Sequence, residues 1–156
     1  DLQPIPSRFL LNARRGGMQL RAEALAAFAD MADAAERDGV QFRIVSAHRS
    51  GKTQVEIYQR NVRRSGAGQR FSAAPGHSEH QLGTTTDLAD AAGQFVLTVE
   101  FEKTPESRWL ESHAAEYGFA RSYYPDNVEQ TGYISEPWHW RYWGRPVVPT
   151  AAGGGQ

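Results

Sequence analysis

The stretch His77-Ser-Glu-His80-Gln-Leu-Gly83-Thr-Thr-Thr-Asp87-Leu-Ala-Asp90 sets two histidines and three acids within fourteen residues. Its first half, with Pro75 and Gly76 just before it, reads as a loop, and Gly83 permits a tight turn. The β-branched run Thr84-Thr-Thr86 then opens a strand to Asp90. Alternation along that strand puts Thr85, Asp87 and Ala89 on one face, and Thr84, Thr86, Leu88 and Asp90 on the other. Asp87 thus shares its face with small residues, while Leu88 faces a core.

Working outward, Val40–Ser46 alternates and is β-branched, so a second strand is expected there. Upstream, Leu20, Ala24, Leu25, Phe28, Met31, Ala32 and Ala35 recur at helical spacing between Met18 and Asp38, and Gly39 supplies a stop. Lys52–Arg64 reads as a helix opened by Thr53 with Glu56 as a capping box and closed by Ser65-Gly-Ala-Gly68. Downstream, Gln94–Val99 is a short apolar run compatible with a strand. Thr104-Pro105 is an N-cap with proline at the first helical position, and the helix it starts carries Trp109, Leu110, His113, Ala114 and Tyr117 before Gly118. Gly132–Trp143 is aromatic and extended, with Pro137 confining it to an edge or a strand end. Helices and strands interleave without a βαβ rhythm, which gives an α+β fold with a small, mostly antiparallel sheet flanked by helices.

The chain has 156 residues, enough for one domain with a real core. One domain is expected over 1–149, followed by a flexible tail at 150–156, Thr-Ala-Ala-Gly-Gly-Gly-Gln. Seventeen basic residues against 18 acidic ones give a net charge of −1. That balance argues against a basic nucleic-acid face and against a polybasic membrane adsorber. No run of about 18 apolar residues marks a transmembrane helix. The first residues carry no charged and apolar leader, so no signal peptide is visible.

Cysteine is absent, which removes disulfides, thiol nucleophiles and thiolate-held zinc together. A metal here must be held by carboxylates and by the five histidines. A catalytic zinc takes three protein ligands and leaves a position for water. Two clusters offer donors: the stretch from His77 to Asp87, and Glu136-Pro-Trp-His139-Trp140. An acid and a histidine among Trp138, Trp140, Tyr142 and Trp143 are costly to bury unless paired or ligated. His113 falls on the apolar stripe of its helix and reads as a packed residue; His77 reads as loop. Asp90 falls on the strand face opposite Asp87. Arg49, where a strand gives way to a helix, is placed to meet an anionic substrate, or else to pair with Glu56.

Three segments together resemble the VanY-type zinc D-alanyl-D-alanine carboxypeptidases, of the hedgehog/DD-peptidase fold. Ser78-Glu-His80-Gln-Leu-Gly83-Thr-Thr85-Thr-Asp87 is similar to that family's S-x-H-x-x-G-x-A-x-D motif. Glu136-Pro-Trp-His139 resembles its E-x-W-H segment, and Ser46-Ala-His-Arg49-Ser50 with Gln54 resembles S-G-Y-R-S-x-x-x-Q. The departures are Thr85 for Ala, and Ala47 and His48 for Gly and Tyr; they bear on substrate fit rather than on metal binding.

The resemblance implies that His80, Asp87 and His139 hold Zn²⁺ and that Glu136 is the general base. It implies that Arg49 stabilises an oxyanion or a carboxylate, and that Gln54 and Ser78 help to hold the substrate's terminal carboxylate or backbone. Tyr123, Tyr124 and Tyr133 are candidates for a cleft wall, with Trp138, Trp140 and Trp143 mostly core. The implied substrate is a peptidoglycan stem peptide that loses a C-terminal D-alanine by D,D- or L,D-carboxypeptidase action. The alternatives are an endopeptidase or endolysin on the same zinc site, and a non-catalytic peptidoglycan-binding module with structural zinc. Such a substrate implies a place outside the cytoplasm, in the periplasm or cell envelope, with a signal peptide removed. A monomer is expected.

Overall fold

A computed structural model describes residues 1–145; the tail expected at 150–156 lies outside the described residues. In chain order the elements are β1 (Leu2–Pro4), β2 (Gln19–Arg21), α1 (Ala22–Arg37), β3 (Phe42–Ser46), α2 (Gly51–Ser65), β4 (Thr85–Asp90), α3 (Pro105–His113), β5 (Phe119–Tyr123), the single turn α4 (Val128–Thr131) and β6 (Glu136–Tyr142). Short 3-10 turns, among them Glu79–Leu82 and Val99–Lys103, join them. The main sheet is antiparallel throughout, in the order β3-β4-β6-β5, and β1 pairs with β2 in a separate ribbon. The α+β class and the small antiparallel sheet therefore stand.

The core forms where α1 and α3 lay their apolar faces on this sheet. Phe28 of α1 is fully buried and meets Phe9, Phe42 and Phe119 edge-on at 5.4, 5.9 and 6.2 Å between ring centres. Met31 and Ala35 extend the same stripe, while Ile44 and Leu88 come up from the sheet. At about 25 cal/mol per Å² of buried apolar area, side chains of this kind each contribute about 1.5–3 kcal/mol.

Several boundaries differ from the sequence reading, each for a physical reason. The segment expected to begin the first helix at Met18 instead supplies β2, because Leu2–Pro4 pairs with Gln19–Arg21 and the helix starts at Ala22. Helix α2 is capped by Ser50, whose hydroxyl accepts the Thr53 backbone N–H at 3.2 Å, so the expected Thr53/Glu56 box does not form. Gln94–Val99 is no strand: the Asp90 carboxylate accepts the backbone N–H groups of Gln94 and Phe95 and folds the chain into turns. Thr104 caps α3 as expected, through the Ser107 N–H. Pro137 is the second residue of β6, an interior strand, and lies where the β5 register shifts between Arg121 and Tyr123. A strand-end proline beside a bulge needs no ladder hydrogen bond.

Candidate metal centre

Register places the first two candidate ligands. Asp87 of β4 and His139 of β6 are directly opposed in the antiparallel pair, so their side chains leave the sheet on the same face. The third comes from the turn before β4. Gly83 ends the Glu79–Leu82 turn at φ 73°, and a Cβ there would lie 2.7 Å from Leu2 Cδ2. Only glycine meets both demands. Arg21 locks the same turn, its N–H bonding the Gly83 carbonyl at 2.8 Å and its Nε the Leu82 carbonyl at 2.8 Å. His80 is thereby held beneath Asp87.

One donor atom from each of His80, Asp87 and His139 falls in a group whose members all lie within 4.8 Å of one another, and all three residues are buried. His80 Nε2 lies 3.2 Å from Asp87 Oδ2, and His139 Nδ1 lies 3.2 Å from Asp87 Oδ1. The opposite nitrogen of His80, Nδ1, is 2.8 Å from the Ala47 carbonyl, which can only accept. That nitrogen carries the proton, which leaves Nε2 turned to the centre. Two imidazoles and a carboxylate converging on one point are the donor chemistry of zinc, so the residues fit the ion that the motifs imply.

Glu136 stands beside this group and outside it, its Oε2 3.4 Å from His139 Nδ1. Burial is the main cause that raises its pKa, with Asp87 and Glu79 adding to it against His139 and Arg49; the result is about 7. Burial by itself would lower the His139 pKa, but hydrogen bonds to Asp87 and Glu79 outweigh it and push the group up to about 9. Asp87 moves the other way. Burial works to raise its pKa, yet the two imidazoles hold it well below the ordinary carboxylate range. Without a metal, the centre therefore holds a proton on His139 that an ion would displace.

Arg49 does not pair with Glu56. Its Nη1 donates to Gln54 Oε1 at 3.0 Å and its Nη2 to Ser46 Oγ at 3.2 Å, with Asp87 Oδ2 at 4.0 Å. Gln54 is 0% exposed and its amide donates to the Ala73 carbonyl at 2.7 Å. It lies behind Arg49 rather than on the cleft wall, and neither a solvated helix face nor an open substrate contact describes it. Ser78 does border the cleft, as does His48.

The centre opens into a cleft of about 750 Å³. Tyr123 and Tyr133 form part of its wall, packed edge to face at 5.5 Å. Tyr124 does not reach it: its hydroxyl donates to Glu111 at 3.0 Å and its ring lies under Arg121. Trp138 and Trp140 are buried, whereas Trp143 is 65% exposed and carries Arg141 on its face. His113 packs its ring 4.8 Å from Trp109 but is half-exposed and pairs with Glu116 at 3.0 Å, far from any ligand role.

The sequence reading missed Glu79. It lines the cleft, and its carboxylate lies 2.8 Å from His139 Nε2. Ser122 Oγ and Arg141 Nη1 donate to it at 2.6 and 2.9 Å. These three contacts span 43 to 62 residues of chain. The one local signal is an acid immediately before a candidate ligand.

An antiparallel sheet thus presents a His–Asp–His group to the cleft, with a further carboxylate held beside it, and this is the candidate metal centre. A family model described as VanY, D-alanyl-D-alanine carboxypeptidase, matches residues 17–145, and the chain belongs to that family. It is 32% identical over 154 residues to a D-alanyl-D-alanine carboxypeptidase of Enterococcus faecalis, which covers 90% of this chain and 55% of the relative. The solved LdcB LD-carboxypeptidase superposes with a TM-score of 0.77 at 35% identity, covering 81% of this chain and 60% of that one. A vancomycin-resistance D,D-pentapeptidase VanY, solved in complex with Zn(II), superposes at 0.69 with 31% identity over 91% of this chain and 84% of that one. The chain spans about half the length of the curated relatives it matches. Among the described residues, no helix is long and apolar enough to cross a membrane.

Proposed function

We propose that this domain is a zinc carboxypeptidase of peptidoglycan, hydrolysing the amide that joins a C-terminal D-alanine to a stem peptide. The observation that carries this reading is the placement of Glu136: a carboxylate at the cleft, beside the His80–Asp87–His139 group but not one of its converging donors. A structural zinc site has no use for such a group. The relatives' names, which include D,D- and L,D-carboxypeptidases, and the Zn(II) in one of them support the same reading.

His80 Nε2, an Asp87 oxygen and His139 Nδ1 would hold the ion. When bound, zinc supplies a Lewis acid that brings a water's pKa to about 7 and polarises the scissile carbonyl. The Glu136 carboxylate takes the proton of the attacking water as its oxygen bonds to the carbonyl carbon. It then returns that proton to the leaving amine nitrogen as the C–N bond breaks. Burial works to raise the pKa of this carboxyl, which suits a group that must both accept and donate a proton. Arg49 is held rigid by Gln54 and Ser46, so its guanidinium is a fixed cation for the negative charge on the substrate carboxylate or the carbonyl oxygen. In this reading Gln54 serves the substrate through Arg49, and Ser78 borders the bound peptide directly. The substrate places the protein's work outside the cytoplasm, and one chain carries the complete site, so a monomer suffices.

The test is to incubate zinc-loaded protein with defined tetra- and pentapeptide muropeptides and weigh the products. Loss of one alanine from the pentapeptide alone means D,D-carboxypeptidase action, and loss from the tetrapeptide means L,D-action. Internal cuts would replace this reading with an endopeptidase. Intact substrates, with zinc bound, would leave a binding module.

A further inference from the structure

Glu79 borders the metal centre without joining it. Its carboxylate receives donors from two strands: His139 Nε2 and Arg141 Nη1 from β6, and Ser122 Oγ from β5. Strand periodicity explains the convergence. His139 and Arg141 are two apart on β6 and share one face of the sheet, and Ser122 joins them from the register shift of β5 between Arg121 and Tyr123. The backbone of Glu79 is tied to the same face, its carbonyl accepting the Thr85 hydroxyl at 3.3 Å. Thr85, the departure from the family's alanine, is fully buried and serves this turn rather than the cleft.

This arrangement decides which nitrogen of His139 is free. A neutral imidazole has one N–H and one lone pair. A carboxylate that already accepts from a guanidinium and a hydroxyl can only accept from Nε2, so Nε2 keeps the proton. Nδ1, 3.2 Å from Asp87 Oδ1 and turned toward the facing His80, is then the nitrogen whose proton an ion would displace. His80 uses the mirror arrangement, with the Ala47 carbonyl holding the proton on Nδ1 and Nε2 turned inward. The two ligands thus offer opposite nitrogens, each fixed by an acceptor behind it. For His80 that acceptor is backbone; for His139 it is a side chain.

We propose that Glu79 is a positioning residue for the metal centre: held by Ser122 and Arg141, it fixes His139 in the tautomer and ring orientation that present Nδ1 to zinc. The inference rests on the reading of His139 as a ligand. Acceptors behind ligating histidines tune metal affinity by about 10–100-fold, so Glu79 contributes through the zinc and not through the substrate. Glutamine cannot replace it. A single amide oxygen cannot face both His139 Nε2 and Arg141 Nη1, so its NH₂ must confront one of these donors.

The experiment compares wild type, Glu79→Gln, Ser122→Ala and His139→Ala by zinc titration against a chromophoric chelator, with circular dichroism of each metal-free protein as a fold control. Expected are a 10–100-fold weaker zinc affinity for Glu79→Gln, a smaller loss in the same direction for Ser122→Ala, and no tight binding for His139→Ala. With zinc saturating, Glu79→Gln lowers kcat on the muropeptide and leaves KM within about twofold. In zinc-loaded protein labelled with ¹⁵N-histidine, the His139 Nε2 proton gives a protected signal that Glu79→Gln loses. Wild-type zinc affinity in Glu79→Gln, beside its loss in His139→Ala, would overturn the proposal, as would a rise in KM alone, the mark of a substrate contact. Tight zinc binding by His139→Ala would instead refute the ligand assignment on which it rests.

Discussion

Two buried polar clusters lie along the same sheet and solve the burial of charge in opposite ways. In one, Arg121 of β5 is itself the cation. Its side chain is 1% exposed, and it donates to Glu102, Glu111, the Ser135 hydroxyl and the Tyr123 carbonyl at 2.8–3.1 Å, with the Tyr124 ring against its guanidinium. The carboxylates it meets are part-exposed and keep access to water. In the other, Asp87 and two imidazoles converge with Glu136 beside them, and the Arg49 guanidinium stops 4.0 Å from Asp87. The first cluster is complete with the residues it has; the second presents the donor set that the proposed ion would complete. A buried polar network that satisfies itself stabilises, and one that leaves facing donors is a ligand site.

The sharpest way to break this contrast is at the base. Glu136→Gln keeps the volume and removes the proton acceptor, so hydrolysis of the muropeptide is expected to fall by about 10²–10⁴-fold with zinc still bound. Retention of the wild-type rate, measured on protein with verified metal content, would sink the mechanism. Next in size is Asp87→Ala. It removes the carboxylate that touches both histidines, and zinc affinity should drop by more than the 10–100-fold that supporting residues cost. Tight zinc in that variant would move the site elsewhere.

The other cluster should answer with stability alone. Arg121→Met leaves the hydroxyl, carbonyl and carboxylate acceptors short of their donor, which costs about 1–3 kcal/mol once the part-exposed acids are allowed to rehydrate. Denaturant melts of the zinc-loaded protein would read that loss, while chelator competition should find zinc affinity unchanged. A change in affinity would mean the clusters are coupled through β6.

The two clusters also differ in how far the amino-acid sequence discloses them. His80, Asp87, His139 and Glu136 were singled out because their segments resemble the motifs of one family, and the sheet brings these four side chains together. The helices α1 and α3 were legible from their apolar stripes, and Thr104-Pro105 from capping chemistry. The strand β5, Phe-Ala-Arg-Ser-Tyr, was not legible, since its buried arginine breaks the alternation and finds its side-chain partners 10 to 19 positions away. Glu79 was illegible for the same reason at longer range. The strand expected at Gln94–Val99 failed because one side chain, Asp90, out-competed the ladder for two backbone N–H groups.

The smallest expected effect is a pH dependence that only the metal centre can give. In the metal-free protein His139 titrates at about 9, against an ordinary value of 6.5 when unfolded. A group that binds its proton more tightly when folded stabilises fully below the unfolded pKa, and that contribution is lost as pH rises through the folded one. Glu136, raised to about 7, acts in the same direction between its unfolded 4.5 and 7. Chelated protein should therefore lose stability between pH 6.5 and 9, on the order of 2 kcal/mol after allowance for coupling among these groups. Arg121→Met lies outside this centre and should shift the whole curve down without changing its slope. His139→Ala should flatten it. Urea melts of the metal-free protein at pH 6, 7.5 and 9 decide the matter. A wild-type curve that is already flat there would mean that His139 is not held charged between Asp87 and Glu79, and that the metal-free centre accommodates its acids by some other protonation.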